Sequence, residues 1–138
     1  MAGNIDSFVV DASYILASLI PDEKSPKSDT VIRSFLDGKI NLYVPPIFNF
    51  EVLNGLAAAR MRKRITTNEC AYSAERFIKL GFTSSDINLL ESFLLAGEYS
   101  LTVYDASYLW LAEENTIPLL TLDRKLERIA QARIKYKK

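Results

Sequence analysis

Short apolar runs alternate with longer stretches of helical spacing along this chain of 138 residues. The runs SFVV, INLYV and IPLLTL are mostly apolar and are bounded by turn residues, which is typical of buried strands in a parallel sheet. A further short strand is predicted for RIKYK, near the end of the chain. This alternation predicts an α/β fold of three layers, with helices on both faces of a central parallel sheet of about four to five strands.

The helical segments carry recognisable start and stop signals. The first follows SFVV and ends before Pro21, and the third begins with prolines in its first turn and ends in the basic run RMRKR. The last two are predicted to start near Asp105 and at DRKLERIAQA. The other predicted boundaries are a cap at Ser28 or Asp29 with a stop at Gly38, a cap at Thr67 with a stop at Gly81, and a stop at Gly97 for the segment SSDINLLESFLLAG.

Two of the predicted strands end on a carboxylate. FVVDAS places Asp11 directly after the first strand, and LLTLDRK places Asp123 directly after the strand IPLLTL. In open parallel sheets, ligands bind beyond the carboxyl ends of the strands, so both acids are predicted at the edge where a site would lie. The same position also suits an aspartate that caps the following helix, and the pattern alone leaves both interpretations open.

Two further acids lie on helices with apolar surroundings. The helical neighbours of Glu51 are mostly small or apolar, and Asp105 opens the most apolar helix of the chain. A change in helix phase would make Glu51 a surface acid, but the expected phase buries it at least in part. An unpaired carboxylate is costly to bury, and the basic residues are concentrated elsewhere, in RMRKR and RIKYKK. A divalent cation shared with Asp11 and Asp123 would satisfy all four acids.

Composition narrows both the chemistry and the setting. The chain has no histidine, which excludes serine–histidine and cysteine–histidine catalysis, and its single cysteine excludes an internal disulfide. Oxygen-only ligand sets favour Mg²⁺ or Mn²⁺ over zinc. The length predicts one domain spanning residues 1–138. No apolar run reaches the roughly 18 residues of a membrane span, and the start lacks a signal peptide, so we expect a cytoplasmic protein with no membrane contact.

The order of these motifs resembles a known family. VVDASYIL, PPIFNFEVLNGL and LTVYDASYLWLAEENTIPLLTLDRKL are similar to successive signatures of PIN-domain ribonucleases, and most resemble the VapC-type toxins of prokaryotic toxin–antitoxin pairs. The resemblance covers nearly the whole chain, and its last segment is the most specific. It implies that the catalytic and metal-binding acids are Asp11, Glu51, Asp105 and Asp123, with the hydroxyls of Ser13 and Thr121 in support.

The resemblance also implies an activity and its partners. It indicates an endoribonuclease that uses Mg²⁺ or Mn²⁺ to hydrolyse phosphodiester bonds of RNA, forms a homodimer and is silenced by a small antitoxin protein. We expect Asp11 and Asp105 to be the main metal ligands. Glu51 and Asp123 would then bind a second ion or orient the attacking water.

Charge permits an RNA substrate without requiring one. Lysine and arginine total 17, against 17 aspartates and glutamates, so four acids committed to metal would leave a small positive surplus. The candidates for contacts with the phosphate backbone are Arg60, Arg62, Lys63 and Arg64, although such a run is also typical of a solvated helix end.

Three alternatives stay open at this point. A housekeeping RNA-processing PIN nuclease would share the motifs but lack a neighbouring antitoxin gene. A receiver-like domain would need an acidic pair near the exit of the first strand, whereas Asp6 precedes the strand core. A non-catalytic PIN-like interaction domain would usually have lost one or more of the acids.

Overall fold

The structure, a computed structural model, describes residues 5–135 and the side chains of residues 5–134. Its strands follow the apolar runs of the sequence and are β1 (Asp6–Val10), β2 (Ile40–Tyr43) and β3 (Leu119–Leu120). The α-helices of the described residues are α1 (Ala12–Leu19), α2 (Pro26–Leu36), α3 (Phe48–Met61), α4 (Thr67–Lys79), α5 (Leu89–Tyr99), α6 (Val103–Asn115) and α7 (Arg124–Lys135), with a short 3-10 helix at Pro21–Glu23.

The three strands form a parallel sheet with β1 in the centre, in the order β2-β1-β3. Val9 pairs with Tyr43 on one side and with Leu119 on the other. Because the chain continues from β1 to a neighbour on one side and later returns on the opposite side, the switch in strand order lies at β1. The carboxyl end of β1 is therefore the position at which an open α/β sheet binds its ligand.

Helices cover the sheet and share a core with it. α1 packs against α2 and α3, and α6 packs against α5, α7 and β1. Val9 and Val10 are fully buried, and the predicted burial of the α6 segment is confirmed by the fully buried Ala106 and Leu109. No helix in the described part of the chain is both long and apolar enough to cross a membrane.

The predicted α/β fold with a parallel sheet is confirmed, but the number of strands differs. The described residues form three strands instead of four to five. Between α4 and α5, the chain adds an isolated parallel bridge of Ser84 to Val44 and no named strand. The predicted strand RIKYK is wrong for residues 133–135, which continue α7, and its remaining residues lie outside the described part. Helical propensity and the buried Ile134 carry α7 past the predicted end.

Several predicted helix boundaries are wrong by one to several residues. Ser25, and not Ser28 or Asp29, caps α2, and Thr66 rather than Thr67 caps α4, where it forms a capping box with Glu69. The predicted stop at Gly97 is wrong as well. Helix α5 continues through Gly97 to Tyr99 and ends at Ser100, which takes the left-handed conformation (φ 54°). The two prolines before α3 lie in the preceding turn and not in its first turn.

Candidate active site

Asp11 lies at the switch point of the sheet, directly after β1. It is 6% exposed, because the fully buried Val9 and Val10 bring the chain out of the core at this residue. Its Oδ1 accepts hydrogen bonds from Ser13 Oγ (2.5 Å) and from the amide of Tyr14 (3.2 Å), and its Oδ2 accepts one from Thr121 Oγ1. The bond from Tyr14 makes Asp11 the N-cap of α1. The capping interpretation is correct, and it does not compete with a role in a site.

Burial dominates the electrostatics of Asp11. Desolvation raises the pKa of this carboxyl above its ordinary value, the hydrogen bonds from Ser13, Thr121 and Tyr14 oppose that rise, and the charge of Asp105 adds to it. The influence of Asp105 shows that the two acids lie within electrostatic reach of each other. Asp11 is thus an acid held in place by neutral donors beside another acid.

Ser13 and Thr121 join the ends of two strands. Thr121 is 4% exposed and follows β3, and its Oγ1 accepts a hydrogen bond from the amide of Asp123 (3.0 Å) while donating to Asp11. Ser13 Oγ accepts a hydrogen bond from the amide of Leu122 (3.2 Å). Each hydroxyl therefore connects Asp11 to the segment that carries Asp123, which fits the supporting role expected for both.

Asp123 also combines two roles. Its Oδ1 accepts a hydrogen bond from the amide of Leu126 (3.0 Å) and so caps the first turn of α7. Its charge raises the pKa of Asp105, which places the two carboxylates near each other. Because β3 ends at Leu120, Asp123 lies three residues beyond the strand and not directly after it as predicted. Thr121 still connects Asp123 to Asp11.

Asp105 lies in the first turn of α6, after the cap residue Thr102. Partial burial raises the pKa of Asp105 and the charge of Asp123 raises it further, while a hydrogen bond with Thr102 and the charge of Lys125 lower it. Lys125 Nζ donates to the backbone oxygen of Ser100 (3.0 Å). The sequence reasoning missed this lysine, although its position two residues after Asp123, in the first turn of α7, could have indicated a cation beside the acids.

Glu51 reaches the same group of acids from α3. It is half-buried, as expected from its helical neighbours, and Tyr108 Oη donates a hydrogen bond to its Oε1 (2.7 Å). Burial raises the pKa of Glu51, the bond from Tyr108 opposes the rise, and the charges of Asp105 and Asp11 add to it. The sequence reasoning missed Tyr108 as a partner. Its position three residues after Asp105, on the same helical face, was the available signal.

The four predicted acids thus act on one another through their charges, in an arrangement centred on the carboxyl ends of β1 and β3. The hydrogen bonds described for Asp11 and Glu51 all come from neutral hydroxyl or amide groups, which fix a carboxylate without cancelling its charge. Such an arrangement retains a negative potential and attracts a cation.

An oxygen-rich group of acids fits a hard divalent cation such as Mg²⁺ or Mn²⁺. Among residues 5–134, no three aspartate, glutamate or cysteine side chains already stand close enough together to hold a metal ion as a group. Mg²⁺ is commonly bound through one or two carboxylates and keeps several waters, so it does not need a closed set of protein ligands. The donor chemistry of the site therefore fits the expected ion.

The basic residues of RMRKR lie apart from the acids. Arg60 is nine residues beyond Glu51, which is about 13 Å along a helix axis. Arg64 Nη2 pairs with Asp22 Oδ1 (2.6 Å) and with Glu23 Oε2 (3.2 Å), and these contacts engage its charge. Arg60, Lys63 and Arg64 line an open cavity of about 320 Å³ that also includes Thr66 and Thr67. This end of α3 is a basic surface separate from the acidic one.

Comparisons with known proteins agree with the fold and the motifs. The model of the PIN domain family matches residues 8–132. The chain is 34% identical over 122 residues to "Ribonuclease VapC3" of Pyrobaculum aerophilum, covering 86% of this chain and 90% of that protein. It is 29% identical over 124 residues to "Ribonuclease VapC9" of Mycobacterium tuberculosis, covering 90% of this chain and 91% of that one.

A solved structure shows the same fold. The crystal structure of PAE2754 from Pyrobaculum aerophilum superposes with a TM-score of 0.67 at 24% identity, covering 96% of this chain and 91% of that one. The family match over residues 8–132 and the 34% identity to a curated relative together establish the family. This chain belongs to the PIN domain family, and the receiver-like alternative is set aside.

Proposed function

We propose that this protein is an endoribonuclease that hydrolyses RNA phosphodiester bonds with the help of Mg²⁺ or Mn²⁺, and that it is the toxin of a VapBC-type toxin–antitoxin pair. The relatives named as VapC ribonucleases support the activity and the toxin role. The observation that carries the proposal for the site is that Asp11 and Glu51 accept hydrogen bonds from neutral hydroxyl and amide groups, while Thr121 connects Asp11 to the segment of Asp123. Burial and the neighbouring acidic charges raise the pKa values of Asp11, Glu51 and Asp105 in agreement with this arrangement. A site that gathers unpaired negative charge in this way is suited to a divalent cation.

The residues proposed to hold the metal are the four acids. Asp11 and Asp105 are the main ligands, and Glu51 and Asp123 either bind a second ion or orient the attacking water. When bound, a divalent ion neutralises the phosphodiester and lowers the pKa of a coordinated water. The chain itself supplies the orientation of the acids: Ser13 and Thr121 hold Asp11 by its two oxygens, and the first turn of α7 holds Asp123.

RNA would approach this negative site along positive surface. We assign backbone contacts to the basic end of α3, which includes Arg60, Arg62, Lys63 and Arg64, because phosphate contacts by such residues add affinity without reading sequence. Arg64 is the weakest candidate, since its charge is already paired with Asp22 and Glu23. Lys125 is a further candidate beside the acids.

Two protein partners belong to the proposal. A VapB-type antitoxin would silence the nuclease, and two copies of the chain would associate as a homodimer in the cytoplasm. The outer face of α5 exposes four large apolar side chains, each 59–68% accessible, and an apolar surface of this kind supports a protein partner: Leu89, Leu90, Phe93 and Leu94. Light scattering on protein freed of antitoxin would give twice the mass of the chain for a dimer, and the mass of one chain would contradict it.

Cleavage of single-stranded RNA tests the activity directly. Protein purified away from antitoxin is incubated with labelled RNA in Mg²⁺, in Mn²⁺ and in EDTA, beside Asp105→Asn prepared identically to exclude a contaminating nuclease. We expect cleavage by the wild type in either metal and none in EDTA or by the variant. Cleavage that persists in EDTA would contradict the metal requirement, and equal cleavage by the variant would remove Asp105 from the site.

A further inference from the structure

Tyr108 connects two of the helices that carry acids. It lies on α6 three residues after Asp105, and its hydroxyl donates a hydrogen bond to Glu51 Oε1 on α3 at 2.7 Å. The ring is 1% exposed within the main core, so packing leaves the hydroxyl little freedom to point elsewhere. The bond spans 57 residues of sequence and joins α3 to α6 at the acids.

Glu51 depends on this bond more than Asp11 or Asp123 depends on any single contact. Asp11 accepts hydrogen bonds from two hydroxyls and an amide, and Asp123 is fixed by the helix that it caps. Glu51 lies inside α3, where the cap residue is Ile47, and Tyr108 is its one described side-chain donor. A glutamate has one more rotatable bond than an aspartate, so its carboxylate loses more conformational entropy when it is held in one place.

The chemistry of the donor suits a carboxylate that must stay charged. A lysine or arginine in this place would cancel the negative charge, whereas a phenol orients the carboxylate and leaves its net charge unchanged. A phenol keeps its proton at neutral pH, so here the hydroxyl donates and the carboxylate accepts. Only Oε1 is engaged by Tyr108, which leaves Oε2 available to the site.

We propose that Tyr108 is a positioning residue that fixes the Glu51 carboxylate for divalent-metal binding, an inference that rests on the proposed metal-dependent activity. Tyr108 touches neither the metal nor RNA, and it acts through Glu51. Outer hydrogen-bond partners of metal ligands typically change metal affinity by about 10–100-fold when they are removed. The effect of removing this hydroxyl should have that size and should exist only while residue 51 carries the carboxylate that binds the metal.

Metal affinity measured without RNA separates positioning from general stability. Mn²⁺ is titrated by calorimetry into wild type, Tyr108→Phe, Glu51→Gln and the double variant. Tyr99→Phe is the matched control, because Arg133 Nη1 donates to the Tyr99 hydroxyl at 2.6 Å, outside the group of acids. Melting curves in EDTA verify that each variant is folded, and RNA cleavage is then measured across the same Mn²⁺ range.

We expect Tyr108→Phe to weaken Mn²⁺ binding by about 10–100-fold, with cleavage recovering at high Mn²⁺, and Tyr99→Phe to bind as the wild type does. In the Glu51→Gln background, Tyr108→Phe should have no further effect, which is the signature of action through Glu51. The inference is overturned if Tyr108→Phe binds Mn²⁺ normally, if its effect adds in full to that of Glu51→Gln, or if Glu51→Gln itself binds normally. If the wild type neither binds Mn²⁺ nor cleaves RNA, the proposed function fails instead.

Discussion

The hydroxyl of Thr121 donates a hydrogen bond to the carboxylate of Asp11 across 110 residues of sequence. The two residues follow β3 and β1, which are adjacent parallel strands, so their side chains meet at one edge of the sheet. Thr121 also accepts the amide proton of Asp123 at 3.0 Å. One buried hydroxyl therefore sets the distance between two of the acids assigned to the site.

Replacing Thr121 by valine should destabilise the protein by about 2 kcal/mol, because the change keeps the shape but removes the donor to Asp11 Oδ2 and the acceptor of the Asp123 amide. Urea unfolding in EDTA measures the free energy of unfolding. Thr30→Val is the control, since its hydroxyl bonds to Pro26 O at 2.9 Å on an exposed helix, and it should change stability by no more than about 0.5 kcal/mol. Equal effects of the two substitutions would show that the bond to Asp11 contributes nothing special.

Neutralising single acids should abolish cleavage without unfolding the chain. Asp11→Asn, Asp105→Asn and Asp123→Asn should each lower turnover by at least about 100-fold, because an amide keeps the shape but holds a metal ion poorly. Asparagine is as good an N-cap as aspartate, so α1 and α7 should still form in the first and last of these variants. Glu51→Gln should also lower turnover strongly.

Asp37→Asn, at an exposed position that precedes β2 and therefore lies at the edge of the sheet opposite the acids, is the matched control and should retain wild-type turnover. Circular dichroism and melting curves verify the folds of all variants. Near-normal turnover in any of the site variants would remove that residue from the catalytic group.

Much of the site could be predicted because its signals are local. Asp11 and Asp123 each follow an apolar run, and parallel strands bring such positions to one edge. The partial burial of Glu51 follows from helical spacing alone. By contrast, the bond from Tyr108 to Glu51 joins residues 57 positions apart, and no local pattern specifies which buried hydroxyl meets which acid.

The predictions of the strand number and of several helix ends were wrong for a different physical reason. A short segment such as RIKYK has strand and helix propensities that differ by little, and packing of Ile134 in the core keeps its first residues in α7. Gly97 was expected to end α5, yet glycine in a helix costs only about 1 kcal/mol and Ser100 accepts the left-handed conformation instead. Tertiary packing decides such marginal cases.

Removing basic charge at the end of α3 should weaken RNA binding in a salt-dependent way. For the double variant Arg62→Gln with Lys63→Gln, we expect a higher KM and an unchanged kcat. The slope of log KM against log salt concentration should be shallower by about 1.4, since each lost contact with single-stranded RNA contributes about 0.7. Cleavage is measured between 50 and 300 mM salt, roughly the range over which such contacts respond.

Lys24→Gln removes an exposed positive charge outside RMRKR and should leave the slope unchanged. If the double variant has the wild-type KM and slope at every salt concentration, RMRKR is a solvated helix end and RNA follows another path.

Without metal, the protein should become more stable when one acid is neutralised. Asp105 is repelled by Asp123 and contributes to the repulsion felt by Asp11 and Glu51, so Asp105→Asn removes three unfavourable pairs. Even with solvent screening, the gain should be about 1–2 kcal/mol at pH 7, which raises the melting temperature by several degrees. Excess Mn²⁺ should reverse this ranking, because only the intact site gains the free energy of metal binding.

The sign of the pH dependence follows from the raised pKa values. Asp11, Glu51 and Asp105 bind protons more tightly in the folded than in the unfolded protein, because their pKa values are raised from the ordinary 3.8, 4.5 and 3.8. Their protonation therefore stabilises the fold at a pH below the ordinary pKa values. This stabilisation is lost as the pH rises through the raised pKa values. The advantage of Asp105→Asn in EDTA should therefore be greatest near pH 7 and shrink as the pH falls towards about 4. If Asp105→Asn is no more stable than wild type in EDTA at pH 7, and Mn²⁺ raises both melting temperatures equally, the acids do not repel one another and the assignment of this site is wrong.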